Sequence, residues 1–302
     1  MTPVHTGWVE PPIAIRGLDH LGAQAPCIAL YAQLLPGITN VTDRARYFSF
    51  YPWVIWSFES RSSDHSADAF TRFLRRADCL FSMAAIRHRA VVDGPLEGHD
   101  MAVIGSRRLG PAVAELADGG APIDLEKFAA PHGESADRYF GSAWGGLGQY
   151  YFGSLTTFGL VGMKDGFPKG PPGYGRERGK AIAEAFDRGV DADRFFDVVA
   201  STKVTLEDLD ALSAFCPCAL HTSVAERDLL LDFFFGRTTH QADESPDARR
   251  RSLALLLDIA RIGDLVTYAR RDLEALFGKS GVDLWELARG VDDRPVVPES
   301  DP

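Results

Sequence analysis

The segment LLPGITNVTDRARYFSFYPWVIWSF, residues 34–58, gives the clearest indication of the fold. Its first part carries helix-start signals, because Thr39 and Thr42 can cap a helix and Asp43 suits a first helical turn. The second part, Tyr47–Phe58, then places seven aromatic side chains within twelve residues. Such a density of large apolar rings predicts that this helix is deeply buried.

Helical patterns extend over most of the remaining chain. Between Phe70 and His88 the apolar residues recur at helical spacing and arginines occupy the other faces, which predicts an amphipathic helix. Thr205 begins a capping signal for another helix. Further helices are predicted at 107–116, 147–162, 176–186, 225–235 and 249–262. Strand signals are few, so the predicted fold class is mainly α.

Three regions follow from these elements. We expect an aromatic-rich helical N-terminal domain over residues 13–146, a winged-helix-like central unit over 147–200, and a helical C-terminal region over 201–294. The 302 residues are 45% hydrophobic and 25% charged, as in an ordinary globular protein. A secretory signal and an apolar run of membrane-spanning length are not visible, so the expected location is cytoplasmic, with no membrane partner.

The central unit carries a basic segment. Its order of helix, Gly/Pro-rich loop and second helix is typical of winged-helix domains, and the segment 164–180 has a local charge of +3. The chain as a whole has a formal net charge of −10, so any DNA contact must use a local basic patch. The candidate DNA-binding residues here are Lys164, Lys169, Arg176, Arg178 and Lys180. A solvated basic loop between two helices is the alternative.

The first half of the chain resembles an uncharacterised bacterial family found in phage-defence neighbourhoods. The resemblance rests on the blocks LLPGITNVTDRARYFSFYPWVIW, FLRRADCLF, AVIGSRRLGPA and RYFGSAWGGLGQYY. It implies a defence role but no catalytic residues. Within the first block, Arg44 and Arg46 are candidates for contacting a phosphate or a partner carboxylate. The alternative is an internal pairing with Asp43 or with a helix end.

The C-terminal segment 262–294 resembles the helix-hairpin-helix region of Y-family DNA polymerases. The resemblance rests on FGKSG at 277–281 and on LWELARGVDDRPV at 284–296. It implies that Gly278, Lys279, Ser280 and Gly281 hold a DNA phosphate through backbone amides. The catalytic palm motifs of these polymerases are not present, so the resemblance implies no nucleotidyl transfer. The segment is a working DNA-binding hairpin, a helical pair without its contact, or a fusion remnant.

Motifs of catalysis are not found in the sequence, so an enzyme is not the favoured interpretation. There is no P-loop, nucleophile elbow, HExxH or dinucleotide fingerprint. Cys216 and Cys218, with His221 and His240 as further candidates, offer zinc-ligand types, but their spacing is not that of common zinc fingers. We therefore expect buried thiols, with no metal and no cofactor. Four aspartates could also converge on a metal, although a solvated face is favoured: Asp193, Asp197, Asp208 and Asp210.

Together these patterns predict a non-enzymatic, DNA-associated accessory or sensor protein, with the backbone of double-stranded DNA as its partner. The setting implied by the resemblance is a bacterial anti-phage defence system, in which a second protein of a defence complex is also a partner. A scaffold subunit that docks a partner enzyme through its acidic surface and aromatic domain is the alternative. A divergent metal-dependent nuclease is the third hypothesis.

Overall fold

The structure is a computed structural model, and it describes residues 24–92, 103–131, 135–163, 172–237 and 246–262. The described chain is mainly helical, as the sequence predicts. Its α-helices are α1 (Gln24–Leu34), α2 (Tyr47–Arg61), α3 (Ala67–Val91), α4 (Ser106–Ala117), α5 (Leu125–Ala129), α6 (Phe152–Thr157), α7 (Arg178–Asp187), α8 (Ala192–Ser201), α9 (Leu206–Ala211), α10 (Val224–Phe235) and α11 (Pro246–Ile262).

Shorter elements connect these helices. A π-helical turn, Leu147–Tyr151, leads into α6, and two 3₁₀ turns, Leu212–Phe215 and Pro217–His221, lie between α9 and α10. Two antiparallel strand pairs complete the described fold. β1 (Ile123–Asp124) pairs with β4 (Lys203–Val204), and β2 (Val161–Met163) pairs with β3 (Pro172–Tyr174).

Helix α2 lies at the centre of the core, which confirms the burial predicted from its aromatic residues. Six of its seven rings are buried, and Trp56 is half-buried. Helices α3, α7 and α10 pack against it. The ring centroids of Phe50 and Phe81 are 4.2 Å apart, and Trp53 stacks on Phe196 at 4.8 Å. Close ring packing of this kind adds to the free energy gained by burial alone.

The beginning of α2 differs from the prediction. Thr39 and Thr42 bond to each other within a turn, where the Thr42 hydroxyl donates to the Thr39 carbonyl at 2.9 Å and accepts the Thr39 N–H at 2.9 Å. The helix begins only at Tyr47, after Arg46, and has no side-chain cap. The threonine pair therefore stabilises the turn before the helix instead of capping it.

Other helix boundaries match the sequence signals closely. The Ser66 hydroxyl caps α3 by accepting the Ala69 N–H at 3.2 Å. Thr205 and Asp208 form the reciprocal capping box of α9, as its spacing predicts. The predicted helix at 147–162 is divided, since a π-helical turn and the short α6 give way to strand β2 at Val161.

One hydrophobic core joins the three predicted regions. Its buried residues include Phe50 from the first, Phe186 from the second and Leu230 from the third. The strand pair β1–β4 also links residues 123–124 to 203–204, across both predicted boundaries. Within the described residues, the ranges 13–146, 147–200 and 201–294 therefore all contribute to one core.

Candidate functional site

A pocket of about 520 Å³ opens where α4 begins. Its lining consists of Asn40, Val41, Asp43, residues 103–108 and the aromatic side chains of Tyr139, Phe140 and Tyr150. The loop before α2 and the start of α4 thus supply polar groups, while the rings supply apolar walls. A concave site with apolar walls and a few polar groups is the usual form of a ligand pocket.

The first turn of α4 places two positively charged side chains at the mouth of this pocket. Arg107 and Arg108 are exposed, and within the described residues neither has a carboxylate partner. The same turn contains no acidic residue, and Gly105 caps the helix without a side-chain hydrogen bond. Helix N-termini carry partial positive charge, so arginines there destabilise the helix unless an anion is bound. Asp43 adds one negative charge to the lining.

A buried hydrogen-bond network forms the wall behind the pocket. Asp78 on α3 is fully buried, and its Oδ2 accepts the Tyr139 hydroxyl at 2.7 Å and the Gly146 N–H at 3.1 Å. Its Oδ1 accepts the Tyr51 hydroxyl at 3.0 Å. Gly105 has a φ of +79°, and a Cβ there would lie 2.7 Å from the Tyr139 ring. The start of α4 therefore rests directly against Tyr139.

The electrostatics of this wall favour neutral groups. Burial raises the pKa of Asp78 to about 6, although hydrogen bonds from Tyr139, Gly146 and Tyr51 act in the opposite direction. Burial also raises the pKa of Tyr139 and of Tyr51 well above the ordinary value. Both tyrosines consequently remain hydrogen-bond donors to Asp78, and the pocket wall keeps its shape.

Arg46 is internal, which corrects its assignment as a surface contact for a phosphate or partner. Its side chain is 1% exposed and pairs with Glu226, Nε to Oε1 at 3.3 Å and Nη2 to Oε2 at 3.4 Å. It also donates to the carbonyls of Ala214, at 2.6 Å, and Cys216 at the end of a 3₁₀ turn. Arg46 is thus internal, as the alternative expects, but its carboxylate partner is Glu226 and not Asp43. Arg44 is half-buried, and its N–H donates to the Tyr151 hydroxyl at 3.4 Å.

The candidate DNA-binding residues of the central unit are divided by the structure. Arg176 and Lys180 are exposed after strand β3, and Lys180 pairs with Glu184 at 3.6 Å. Arg178 is buried, donates to the Phe158 carbonyl at 3.3 Å and lies 5.0 Å from the Phe233 ring centroid. Arg178 therefore has a structural role in the core and is not a candidate for contacting DNA at the surface. Lys164, Lys169 and the tail residues Gly278, Lys279, Ser280 and Gly281 lie outside the described residues.

The helix before the β2–β3 hairpin carries little that would contact DNA. Its exposed positions, with those of the preceding π-helical turn, are Gly148, Gln149, Gly153 and Thr156. None of them is basic, and α6 has only six residues. Gln149 is the one long polar side chain among these exposed positions, and the other three offer at most a short hydroxyl to a base edge.

A second group of chemically active side chains lies where α3 meets the 3₁₀ turns. His88, Cys216 and Cys218 place their ligand atoms within 4.8 Å of one another. The Cys216 thiol and the Arg46 guanidinium lower the pKa of Cys218, while the hydrogen bond to Cys218 and burial raise the pKa of Cys216. His221, the histidine suggested by sequence, instead contacts the Cys218 carbonyl, and His240 lies outside the described residues.

The four aspartates considered as a nuclease site are not gathered at one point. Asp193 pairs with Arg61 at 3.0 Å, and Asp210 pairs with Arg87 at 2.7 Å. Asp208 is occupied by its capping box. Asp193, Asp208 and Asp210 thus have separate structural partners, and Asp197 is exposed on α8.

Comparison with known proteins adds no family to this chain. No family model matches it, and no solved structure matches it. In the part of the chain that the structure describes, no helix combines the length and apolar character that a membrane crossing requires.

Sequence reasoning missed two features of this surface. Arg107 and Arg108 stand in the AVIGSRRLGPA block, where a basic pair after a glycine at a helix start was the available signal. His88 is 130 residues from Cys218, and no spacing rule connects them. Only the fold brings that imidazole to the cysteines.

Proposed function

We propose that this protein is a non-enzymatic, nucleic-acid-associated accessory or sensor protein that docks on the phosphate backbone of double-stranded DNA. The observation that carries the proposal is the pair Arg107 and Arg108 at the mouth of the pocket. Both are exposed on the first turn of α4, and the turn has no acidic residue to balance them. An anion such as a phosphate would supply the missing charge.

The negative net charge of the chain restricts where DNA can bind. At a net charge of −10, most of the surface repels DNA. Many arginines of the described residues are already engaged inside the fold: Arg46, Arg75, Arg178 and Arg249. Arginines left at the surface without carboxylates are thus the natural docking points for a phosphate.

The pocket adds a reason to expect nucleic acid rather than a free anion alone. Tyr150 and Phe140 are half-buried beside the arginines, with Tyr139 behind them. Rings next to a phosphate-binding group suit a ligand that carries both a phosphate and a planar base. A frayed or terminal nucleotide of a duplex has both groups within reach of one another.

The β2–β3 hairpin provides a second contact in this proposal. Arg176 is exposed immediately after β3, and within the described residues it has no carboxylate partner. Lys164 and Lys169 belong to the same basic segment in sequence. The resemblance of the first half to a family from phage-defence neighbourhoods supports a role in which a bound nucleic acid is signalled to a partner protein.

A binding titration tests the proposal. Fluorescence anisotropy with a labelled duplex, at about 50 and about 200 mM salt, should show binding that weakens strongly as salt rises. The double variant Arg107→Gln/Arg108→Gln should lose at least about tenfold in affinity. Arg72→Gln is the matched control, because Arg72 is exposed on α3 and lies away from the pocket lining.

Two results would refute the proposal. One is a wild-type protein that does not bind the duplex at low salt, and the other is an affinity unchanged by the double variant. A triple variant of Lys164, Lys169 and Arg176 to Ala measures the hairpin's share separately. Plasmid DNA incubated with the protein and Mg²⁺ or Mn²⁺ should remain intact, whereas nicking would favour the nuclease hypothesis.

A further inference from the structure

The strongest cluster of metal-ligating groups outside the pocket is His88 with Cys216 and Cys218. The His88 Nδ1 lies 3.4 Å from the Cys218 Sγ, and all three ligand atoms lie within 4.8 Å of one another. Zn–S bonds of about 2.3 Å and Zn–N bonds of about 2.0 Å place tetrahedral ligand atoms about 3.5–3.8 Å apart. The cluster therefore needs only small side-chain shifts to hold a zinc ion.

The backbone around the cysteines is held in place. Cys216 is extended, with φ −54° and ψ 137°, and Pro217 begins a 3₁₀ turn that carries Cys218. The buried Arg46 donates to the carbonyl of Cys216 and is itself fixed by Glu226. Both thiols are carried by a turn that these hydrogen bonds hold in place. The two cysteine side chains are therefore close together without a bound metal. Preformed ligands lower the ordering cost of binding an ion.

The cluster is buried against apolar side chains on one side and accessible to solvent on the other. Ala85 and Val103 pack against Cys216, and all three are buried. His88 and Cys218 are half-buried, so one side of the cluster is reachable by solvent. Two thiolates and one neutral imidazole also give Zn²⁺ a site of zero net charge, which is compatible with this degree of burial.

We propose that His88, Cys216 and Cys218 form a zinc site with three protein ligands and a water molecule at the fourth position. Binding forms one Zn–N and two Zn–S bonds, and the two thiol protons pass to solvent. The site goes beyond the proposed association with nucleic acid and does not depend on it. Soft thiolate and imidazole donors favour Zn²⁺ over Mg²⁺ or Ca²⁺.

The test uses the full chain, prepared under reducing conditions and loaded with either Zn²⁺ or Co²⁺ alone. Metal analysis after gel filtration should find roughly one zinc ion per chain. Co²⁺ should give thiolate-to-metal absorption in the near ultraviolet and strong visible bands of tetrahedral geometry. Cys218→Ser and His88→Gln should each weaken metal affinity by at least about tenfold.

The controls use groups of the same chemistry outside the cluster. Cys27→Ser removes an exposed cysteine, and His221→Gln removes a histidine beside the site, so both should retain zinc and the cobalt spectrum. Circular dichroism establishes that the variants remain folded. His88→Gln is the milder change, because His88 is half-buried near the end of α3.

Three outcomes would overturn the zinc site. The wild-type chain could emerge metal-free without thiolate bands, or Cys218→Ser and His88→Gln could bind metal as tightly as the controls. The third is a chain whose reduced form takes up no zinc but whose cysteines oxidise to an internal disulfide. That result would assign Cys216 and Cys218 to thiol redox chemistry instead.

Discussion

Buried arginines of this protein satisfy backbone carbonyls at the ends of helices. Arg75 donates to the carbonyls of Ala129 and Ala130, at 2.7 and 2.9 Å, where α5 ends. Arg249 does the same for Phe233 and Phe234 at the end of α10, at 2.9 and 3.0 Å. The last carbonyls of a helix have no intrahelical partner, and they carry partial negative charge. A guanidinium with five donors therefore stabilises chain ends that would otherwise be buried unsatisfied.

The Arg46–Glu226 pair makes a residue-scale prediction about stability. Glu226→Ala should lower the free energy of unfolding by about 3–5 kcal/mol, because it leaves the Arg46 charge buried without its carboxylate. Urea unfolding followed by circular dichroism measures this. Asp193→Ala is the control, since Asp193 is 86% exposed in its pair with Arg61 and should cost less than about 1 kcal/mol. Equal losses in the two variants would contradict the buried role.

Asp78 predicts a dependence of stability on pH. Its pKa rises from 3.8 to about 6 on folding, so the folded state holds an extra proton between these values. The stability that Asp78 contributes is therefore complete below about pH 4 and is lost as pH rises through about 6. The total change is on the order of 3 kcal/mol, at about 1.4 kcal/mol per pKa unit.

Asp78→Asn tests this dependence, because the amide cannot ionise. The variant should lose less stability than wild type between about pH 4 and about pH 7, as measured by urea midpoints across that range. Asp197→Asn, at an exposed position of α8, serves as the control and should follow wild type. An identical pH profile for wild type and Asp78→Asn would show that Asp78 does not carry the linkage.

At the scale of elements, hydrophobic periodicity and caps predict most helices correctly. The amphipathic α3 and the capped α9 begin and end close to where local signals place them. Local signals do not predict a helix start correctly where a side chain can either cap a helix or stabilise a turn. Thr39 and Thr42 satisfy each other in a turn, and α2 then begins at Tyr47 because its rings pack into the core. Tertiary contacts determine whether such a threonine caps a helix or stabilises a turn.

Trp53 makes the element-scale prediction for α2. It is fully buried, stacks on Phe196 and donates its Nε1–H to Asp187 on α7 at 2.8 Å. Trp53→Ala should therefore reduce the free energy of unfolding by about 3–5 kcal/mol. Trp56→Ala, at a half-buried position of the same helix, should cost less than about 2 kcal/mol. Chemical denaturation compares the two, and the reverse order would contradict a central position for Trp53.

At the scale of the whole molecule, the sequence predicts the fold class, and the core joins residues from all three regions that the sequence predicts. The order of predicted helices and loops divides the chain into three regions, yet α3, α7 and α10, which pack on α2, come from all three. Phe48 packs on Phe158 and Phe234, which are 110 or more positions further along. Long-range packing of this kind cannot be predicted from local sequence patterns. The position of His88 beside Cys216 and Cys218 cannot be predicted from them either.

The shared core predicts that the first region does not fold alone. Residues 1–146 expressed separately would expose the faces of α2 that contact α7 and α10. The fragment should show no cooperative thermal transition, whereas the full chain should unfold cooperatively. A fragment with native-like near-ultraviolet circular dichroism and a sharp transition would establish it as an independent domain.

Phosphate docking at the start of α4 makes the salt dependence of duplex binding a decisive measurement. Each phosphate contact contributes about 0.9 to the slope of log affinity against log salt concentration. We expect Arg107→Gln/Arg108→Gln to make this slope shallower by about 1 to 2, and Arg72→Gln to leave it unchanged. A slope that is the same in wild type and in the double variant would contradict it.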